Sequence, residues 1–256
     1  LTYKIAEALT EHKIETKYVN SQYLESALAQ ERIQSLLKSI DSSAKPNSDL
    51  GPHSQYLDYW KNQFKASYLI AMTIFLALGL IYLVFTKPYQ TSLFTTGFAA
   101  SSIQIALIVA FQAFFGYAYY QMVFFAATFM TGAAIGSYLF IRIESTQIRF
   151  QRIEIAIAAY AALIIPAIFL LRDNNWAPAA FNAMSLVTGF IAGSQLSFAA
   201  QKDTAGKLFS ADLIGASFGA LFAAAILIPI LGVVWTLLMV AGIKVISAAV
   251  FSIGKQ

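Results

Sequence analysis

From residue 64 onward the chain is a succession of long apolar runs separated by short polar turns. A helix crosses roughly 30 Å of hydrocarbon with about 20 residues, and seven runs are long enough to do so. They cover residues 67–85, 92–115, 117–141, 153–171, 179–200, 213–231 and 233–253. They lack the two-residue alternation of a β-barrel strand. The pattern predicts an all-α membrane protein of about seven transmembrane helices, in a domain over residues 65–256.

Glycines indicate how these helices turn and pack. Gly116 alone separates the second run from the third, and Gly232 alone separates the sixth from the seventh, which predicts two tight hairpins. Lipid gives no hydrophobic drive for helix association, so helices approach closely at small residues. Three GxxxG pairs are suited to such contacts, and we expect packing within the chain rather than dimerisation. The pairs are Gly132 with Gly136, Gly189 with Gly193, and Gly215 with Gly219.

The first 64 residues follow a different pattern. It predicts a helix over 2–12, a strand over 14–19, a helix over 21–40, a polar loop, and an amphipathic lead-in over 54–64. One strand cannot form a sheet. We therefore expect residues 1–64 to be the tail of a soluble α+β domain, completed by polypeptide upstream or by a partner. The polar first residues do not predict a signal peptide.

Composition and charge narrow the functional classes. Apolar residues make up 58% of the chain and charged residues 12%, against roughly 25% charged in soluble domains, which excludes an ordinary soluble enzyme. The net charge of +4 comes without a basic run, so no nucleic-acid partner is expected. Cysteine is absent, and His12 and His53 have no ligand spacing. No metal, cofactor or catalytic residue is predicted.

Asp212 and Lys244 are the ionisable residues that the sequence marks as candidates for a site inside the membrane. Asp212 stands at the edge of the sixth run, and Lys244 lies eleven residues into the seventh. A hairpin at Gly232 brings both toward the same membrane face, where the flexible Lys244 side chain can reach Asp212. Three interpretations stay open: a buried, charge-neutralising pair with Asp212 capping the helix start, a proton or cation relay, and independent snorkelling.

Amide side chains are the remaining polar groups of the runs. Gln104 and Gln112 lie with Ser101 on one third of the second helix, and Gln195 lies in the fifth run. In lipid such amides form hydrogen bonds between helices or line a substrate path. The sequence leaves both interpretations open.

Two stretches of the membrane part resemble a known family. TGFAASSIQIALIVAFQAFFGYAYYQMVFFAATFMTGAAIGS at 96–137 and SADLIGASFGALFAAAILIPILG at 210–232 are similar to the spermidine synthase-like integral membrane proteins. NSDLGPHSQYLDYW at 47–60, with IETKYVNSQYL before it, is similar to the end of that family's soluble domain. The resemblance implies an aminopropyltransferase-type domain fused to helices distantly similar to major facilitator transporters. Its Gly-rich donor loop and acidic catalytic residues would lie upstream of this chain.

Basic residues near the run ends predict the orientation. One side of the membrane carries seven, Lys87, Arg142, Arg149, Arg152, Lys202, Lys207 and Lys255, and the other carries Lys61, Lys65 and Arg172. With seven spans, the positive-inside rule puts residues 1–64 outside the cytoplasm. We expect a bacterial-type inner (plasma) membrane location.

Three hypotheses of function follow. The first is a subunit that anchors or scaffolds a larger complex, bound to the lipid bilayer and to other membrane or extracytoplasmic protein subunits. The second is a transporter, or half of one, for a small cation such as a polyamine. The third is the membrane portion of a fused aminopropyltransferase. By itself the chain is not expected to be an enzyme.

Overall fold

The computed structural model describes Glu11 and residues 67–116, 119–172 and 174–253. The predicted strand and helices of residues 1–64 lie outside this part of the chain, apart from Glu11, which is helical. Between residues 67 and 253, the described residues form seven α-helices and one π-helical segment, Ala223–Leu227. The α-helices are α1 Ser67–Val84, α2 Pro88–Phe115, α3 Tyr119–Phe140, α4 Gln147–Leu171, α5 Ala177–Ala200, α6 Ala205–Phe222 and α7 Ile228–Ile253.

Five helical stretches among the described residues are long and apolar enough to cross a membrane. Four are α2, α3, α4 and α5, and the fifth runs from Ala205 to Ser252, through α6, the π-helical segment and α7. A shorter apolar helix, Thr73–Val84, lies within α1. The prediction of an all-α, multi-pass membrane protein is therefore confirmed at this level, with five candidate spans where the sequence indicated about seven.

The fifth stretch contains a reversal of the chain at Gly232. Its backbone there has φ 78° and ψ 173°, a conformation that favours glycine because a side chain would be strained. Before it, Gly215 and Gly219 contact Phe94 and Phe98 in order, so α6 runs parallel to α2. After Gly232, α7 runs antiparallel to α2, because residues later in α7 contact residues earlier in α2. The 48 residues of this stretch would measure about 72 Å if straight, far more than a bilayer core.

Contacts near both ends of α7 fix its direction. Lys244 bonds to Thr96, and further along α7 the ring of Phe251 lies 5.0 Å from that of Tyr89, which precedes Thr96 in α2. A second positive φ occurs at Gly116, where α2 ends with φ 73°. Both glycines that separate adjacent apolar runs therefore adopt left-handed turn conformations in the structure.

Close glycine contacts join α3 to α5. A Cβ added to Gly132 or Gly136 would overlap the carbonyls of Leu186 and Phe190 in α5. Across the same contact, a Cβ on Gly193 would overlap the carbonyl of Ala133, and Gly189 meets α3 in the same way. The two GxxxG pairs thus face each other within one chain, and the backbones touch because neither helix has side chains there.

The third GxxxG pair joins α6 to α2. Gly215 and Gly219 lie against the backbone of Phe94 and Phe98. In return, Gly97 of α2 lies against the carbonyl of Asp212. The contact between α2 and α6 is therefore as close as that between α3 and α5, and it fixes the height of α2 in the bundle.

Three turns lie together at one end of the bundle, residues 85–87, 141–146 and 201–204, and we call this end the basic face. The backbone N–H of Ser145 donates to Gln201 Oε1 at 2.9 Å, and Gln90 Nε2 donates to Asp203 Oδ2 at 2.8 Å. Bonds from the Thr204 N–H and from Gln90 hold the pKa of the Asp203 carboxyl below its usual range.

Replacing Gly193 by leucine should destabilise the bundle, because the new side chain has no space between α3 and α5. Overpacking costs about 1–3 kcal/mol in well-packed cores, which we expect to lower the melting temperature in detergent. Gly206→Leu is the matched control, since a Cβ at Gly206 has nothing within 4 Å. Equal melting temperatures for the two variants would contradict the close contact.

Candidate functional site

Polar side chains from four helices meet inside the bundle, at one level below the basic face. Thr96 lies eight residues into α2, and Glu154 lies seven residues into α4, which puts both about 10–12 Å along their helices. Gln195 of α5 and Lys244 of α7 reach the same level. We call this group the polar cluster; its members are Ser92, Thr95, Thr96, Glu154, Gln195, Lys244 and Ser247.

An ion pair forms the centre of the polar cluster. Lys244 Nζ lies 2.7 Å from Glu154 Oε2, and neither side chain has any solvent exposure. The ammonium also donates to Thr96 Oγ1 at 2.8 Å and lies 3.3 Å from Thr95 Oγ1. A buried charge must be both paired and hydrogen-bonded to be tolerated. These three partners match the three N–H donors of the lysine.

The second carboxylate oxygen of Glu154 is held by two other donors. Ser92 Oγ and Gln195 Nε2 both donate to Glu154 Oε1. Gln195 is itself oriented by Thr96, whose hydroxyl lies 2.6 Å from Gln195 Oε1. Because Thr96 also accepts from Lys244, the cluster forms a closed ring of hydrogen bonds around the ion pair, and each charge keeps a fixed position.

The partner of Lys244 differs from the sequence-based hypothesis. That hypothesis paired Lys244 with Asp212, but Glu154 is the carboxylate within ion-pair distance in the described structure. Asp212 is half-buried in α6, and its charge interacts with Lys244 through space. Its proposed capping role is also wrong: α6 begins at Ala205 after Thr204, so Asp212 lies two turns inside the helix.

Sequence reasoning missed Glu154. It is the second residue of the predicted run 153–171, where a charge is ordinary because the helix meets the membrane surface there. The structure begins α4 at Gln147, with Thr146 accepting the Arg149 N–H, so Glu154 lies two turns inside. Lys244 could have pointed to Glu154 from the sequence alone. A buried ammonium needs a buried carboxylate, and Glu154 is a carboxylate within a predicted span.

The three amides of the sequence analysis lie in different surroundings. Gln195 belongs to the polar cluster and is fully buried. Gln104 Oε1 accepts from Ser185 Oγ at 3.1 Å, while its Nε2 is buried and has no hydrogen-bond partner among the described residues. Gln112 is exposed near the far end of α2. The amides thus do not form one path.

A cavity of about 350 Å³ adjoins the polar cluster on the side of the basic face. It lies between the start of α2 and the second half of α7. Ser92, Thr95 and Ser247 belong both to its wall and to the polar cluster, so one layer of hydroxyl side chains separates the cavity from the ion pair. The other lining residues are Thr86, Pro88, Thr91, Ile243, Ile246, Val250 and Phe251.

The helices are tightly packed on the other side of the polar cluster. Beyond Thr96 there is a void of about 10 Å³, which is at the lower limit of the space that one water needs. Further along, the apolar core continues through Ile103, Leu107 and Phe111 of α2. Among the described residues, the polar cluster thus borders a cavity of about 350 Å³ on the side of the basic face and a void of about 10 Å³ on the other side.

Metal binding finds no support in the described part of the chain, where no group of three or more His, Cys, Asp or Glu side chains lies together. No protein-family model matches the sequence, and no curated protein or solved structure matches it either. The resemblance to spermidine synthase-like membrane proteins therefore stays a prediction.

Glu154→Leu should destabilise the protein strongly, because it leaves the Lys244 ammonium buried without a counter-charge. Removing one partner of a buried pair costs about 3–5 kcal/mol, whereas replacing both by apolar residues is often neutral. The double variant Glu154→Leu with Lys244→Met should therefore melt at a higher temperature than Glu154→Leu alone, in thermal unfolding in detergent.

Asp212→Asn serves as the control for this comparison, because Asp212 has no ion-pair contact with Lys244 in the described structure. We expect a smaller loss of melting temperature than for Glu154→Leu. The pairing would be refuted if the double variant were no more stable than the single variant.

Proposed function

We propose that the chain is a multi-pass protein of a bacterial-type inner membrane that acts as a transporter, or half of one, for a small cation, with the Glu154–Lys244 pair as its coupling site. The observation that carries this proposal is a fully buried ion pair separated from a cavity by one layer of hydroxyls. Ionisable groups inside a membrane are costly and mark ion or proton pathways.

The charge balance of the site supports a cation as the transported species. Glu154, Asp212 and Lys244 together carry a net charge of −1 when all are ionised. A bound proton or monovalent cation neutralises this charge, and a neutral site is less costly in a low-dielectric interior. A purely structural contact would be served as well by apolar side chains of similar volume, so the pair itself calls for a functional explanation.

The proposal includes seven membrane crossings by the chain. The stretch from Ala205 to Ser252 is too long for one crossing and reverses at Gly232, so α6 and α7 count as two. Adding α1 to the other helices gives seven. With more basic residues on the basic face than on the opposite side, the positive-inside rule then puts that face in the cytoplasm and residues 1–64 outside.

A role as an anchor or scaffold is the second candidate, and the surface of α3 favours it. Of the 22 residues of α3, Phe125, Gly132 and Gly136 are the buried ones. Large apolar side chains such as Tyr120 and Phe124 point outward. This outer face is free for lipid or for a helix of another membrane or extracytoplasmic subunit.

The third candidate, the membrane portion of a fused aminopropyltransferase, depends on the family resemblance alone. No Gly-rich donor loop follows a predicted strand in this sequence. A polyamine is nevertheless a suitable cation to test first, because the resemblance implies polyamine chemistry and an ammonium group fits a site of net negative charge.

Uptake of radiolabelled spermidine into proteoliposomes with an imposed pH gradient tests the transport proposal. The native protein should accumulate the label above protein-free liposomes, and Glu154→Gln should lower the initial rate at least tenfold, because it removes the only carboxylate paired with Lys244 in the described structure.

Glu144→Gln is the matched control, since Glu144 is exposed in the turn before α4 and the same atoms change. It should keep the native rate. A Glu154→Gln variant that is correctly inserted and transports at the native rate would contradict the proposal. Accumulation no higher than in protein-free liposomes, for spermidine and for Na⁺, would favour the anchor or scaffold role.

A further inference from the structure

The cavity beside the polar cluster has two chemically different walls. Hydroxyl side chains form one wall, and apolar side chains of α7 form the other, with Ile243, Ile246 and Val250 among them. Its volume of about 350 Å³ is far larger than the roughly 10–15 Å³ that one water needs. A space of this size with hydroxyls on one wall offers water both room and hydrogen-bond partners.

The hydroxyls form two groups between the basic face and the ion pair. Near the surface, Thr86 Oγ1 and Thr91 Oγ1 lie 2.8 Å apart. Deeper, Thr95 Oγ1 lies 3.0 Å from Ser247 Oγ and 3.3 Å from Lys244 Nζ. These residues line the same cavity, apart from Lys244, which lies behind it. Polar groups therefore continue from the end of α1 to the buried ammonium.

Ser92 connects the cavity to the acid of the pair. Its hydroxyl lies in the cavity wall and donates to Glu154 Oε1. A serine hydroxyl has one proton to donate and two lone pairs to accept with; one lone pair of Ser92 Oγ accepts from Gln195 Nε2 at 2.9 Å, and the other can accept from a water. It can therefore take a proton from a water in the cavity while giving its own proton to the carboxylate.

We propose that this cavity is a hydrated vestibule through which protons reach Glu154 from the basic face, with the Ser92 hydroxyl as the last carrier. This inference rests on the proposed transport function and specifies the coupling ion and the side from which it enters.

The step is balanced in protons and charge. A hydronium in the vestibule gives a proton to Ser92 Oγ and becomes water, and the original hydroxyl proton moves to Glu154 Oε1. Ser92 ends as a neutral hydroxyl, and Glu154 becomes a neutral carboxylic acid. The ion pair with Lys244 is then lost, and the remaining charges are those of Lys244 and Asp212, which cancel.

The groups around Glu154 fit this role. Lys244 of α7 is the cation that faces it, and α2 and α5 present the neutral side chains Ser92 and Gln195. From α6, Asp212 acts on Lys244 through space. Protonation of Glu154 thus changes the balance between one ammonium and two carboxylates, without another titratable side chain bonded to the acid in the described structure.

Single-cysteine labelling tests the vestibule, and the chain is suited to it because it has no cysteine. Thr91→Cys and Ser247→Cys should react with a charged, membrane-impermeant methanethiosulfonate reagent. Thr131→Cys is the control, since Thr131 is exposed in the middle of the apolar helix α3 and does not line the cavity. We expect the vestibule cysteines to react at least tenfold faster than the control, and only when the reagent is added at the basic face.

Proton uptake into proteoliposomes that contain a pH-sensitive dye tests the carrier role of Ser92. Ser92→Ala should lower the initial proton flux at least tenfold, because it removes the hydroxyl that donates to Glu154. Ser92→Thr should stay within about threefold of the native rate, because it keeps the hydroxyl. A merely structural role predicts instead that both variants change stability without a difference in their flux at equal inserted amounts.

The outcomes separate this inference from the proposed function. If Ser247→Cys reacts no faster than Thr131→Cys, or reacts from the opposite face, while Glu154→Gln still abolishes uptake, then the vestibule is wrong and the transport function stands. Equal fluxes for Ser92→Ala and Ser92→Thr would overturn the carrier role. If Glu154→Gln transports at the native rate, both proposals fail.

Discussion

The Lys244 side chain has no solvent exposure, so its ammonium depends on a counter-charge inside the bundle. Glu154 provides that charge at 2.7 Å, and this one contact constrains three helices. It holds α7 against α4, and because Thr96 also accepts from Lys244, it holds both against α2. Leaving either charge unpaired would cost several kcal/mol, so the register of these helices is fixed by electrostatics as much as by packing.

Small residues make that register possible. Gly97 and Gly215 allow the backbones of α2 and α6 to touch, and this contact holds α2 at the height at which Thr96 meets Lys244. Gly232 then returns the chain antiparallel to α6, so that α7 passes the same part of α2. The glycine contacts thus determine where the charges meet, and the ion pair then penalises any shift of one helix along another.

Hydropathy and turn chemistry are local properties, and they explain why much of the fold could be predicted. The apolar runs and the separating glycines Gly116 and Gly232 are visible in the sequence, because each depends on a few adjacent residues. The pairing of Lys244 could not be predicted in this way. It depends on where α4 and α6 begin, and those starts contain charged residues that a search for apolar runs leaves out. In the structure α4 begins about two turns before the predicted run, so Glu154 lies inside the helix. In the same way α6 begins about two turns before Asp212, so Asp212 does not lie at a helix start.

The chemistry of the vestibule wall is consistent with the charge of the site behind it. A carboxylate in the wall would bind a cation at the entrance and compete with Glu154, whereas hydroxyls solvate a cation or proton without neutralising it. Conduction requires attraction strong enough for entry and weak enough for release. Thr91 and Ser247 provide such weak ligands on the path, and the negative charges lie where the path ends. In the proposed mechanism, the packing beyond Thr96 stops the proton at the ion pair, and release to the other side of the membrane requires the helices around Lys244 to rearrange.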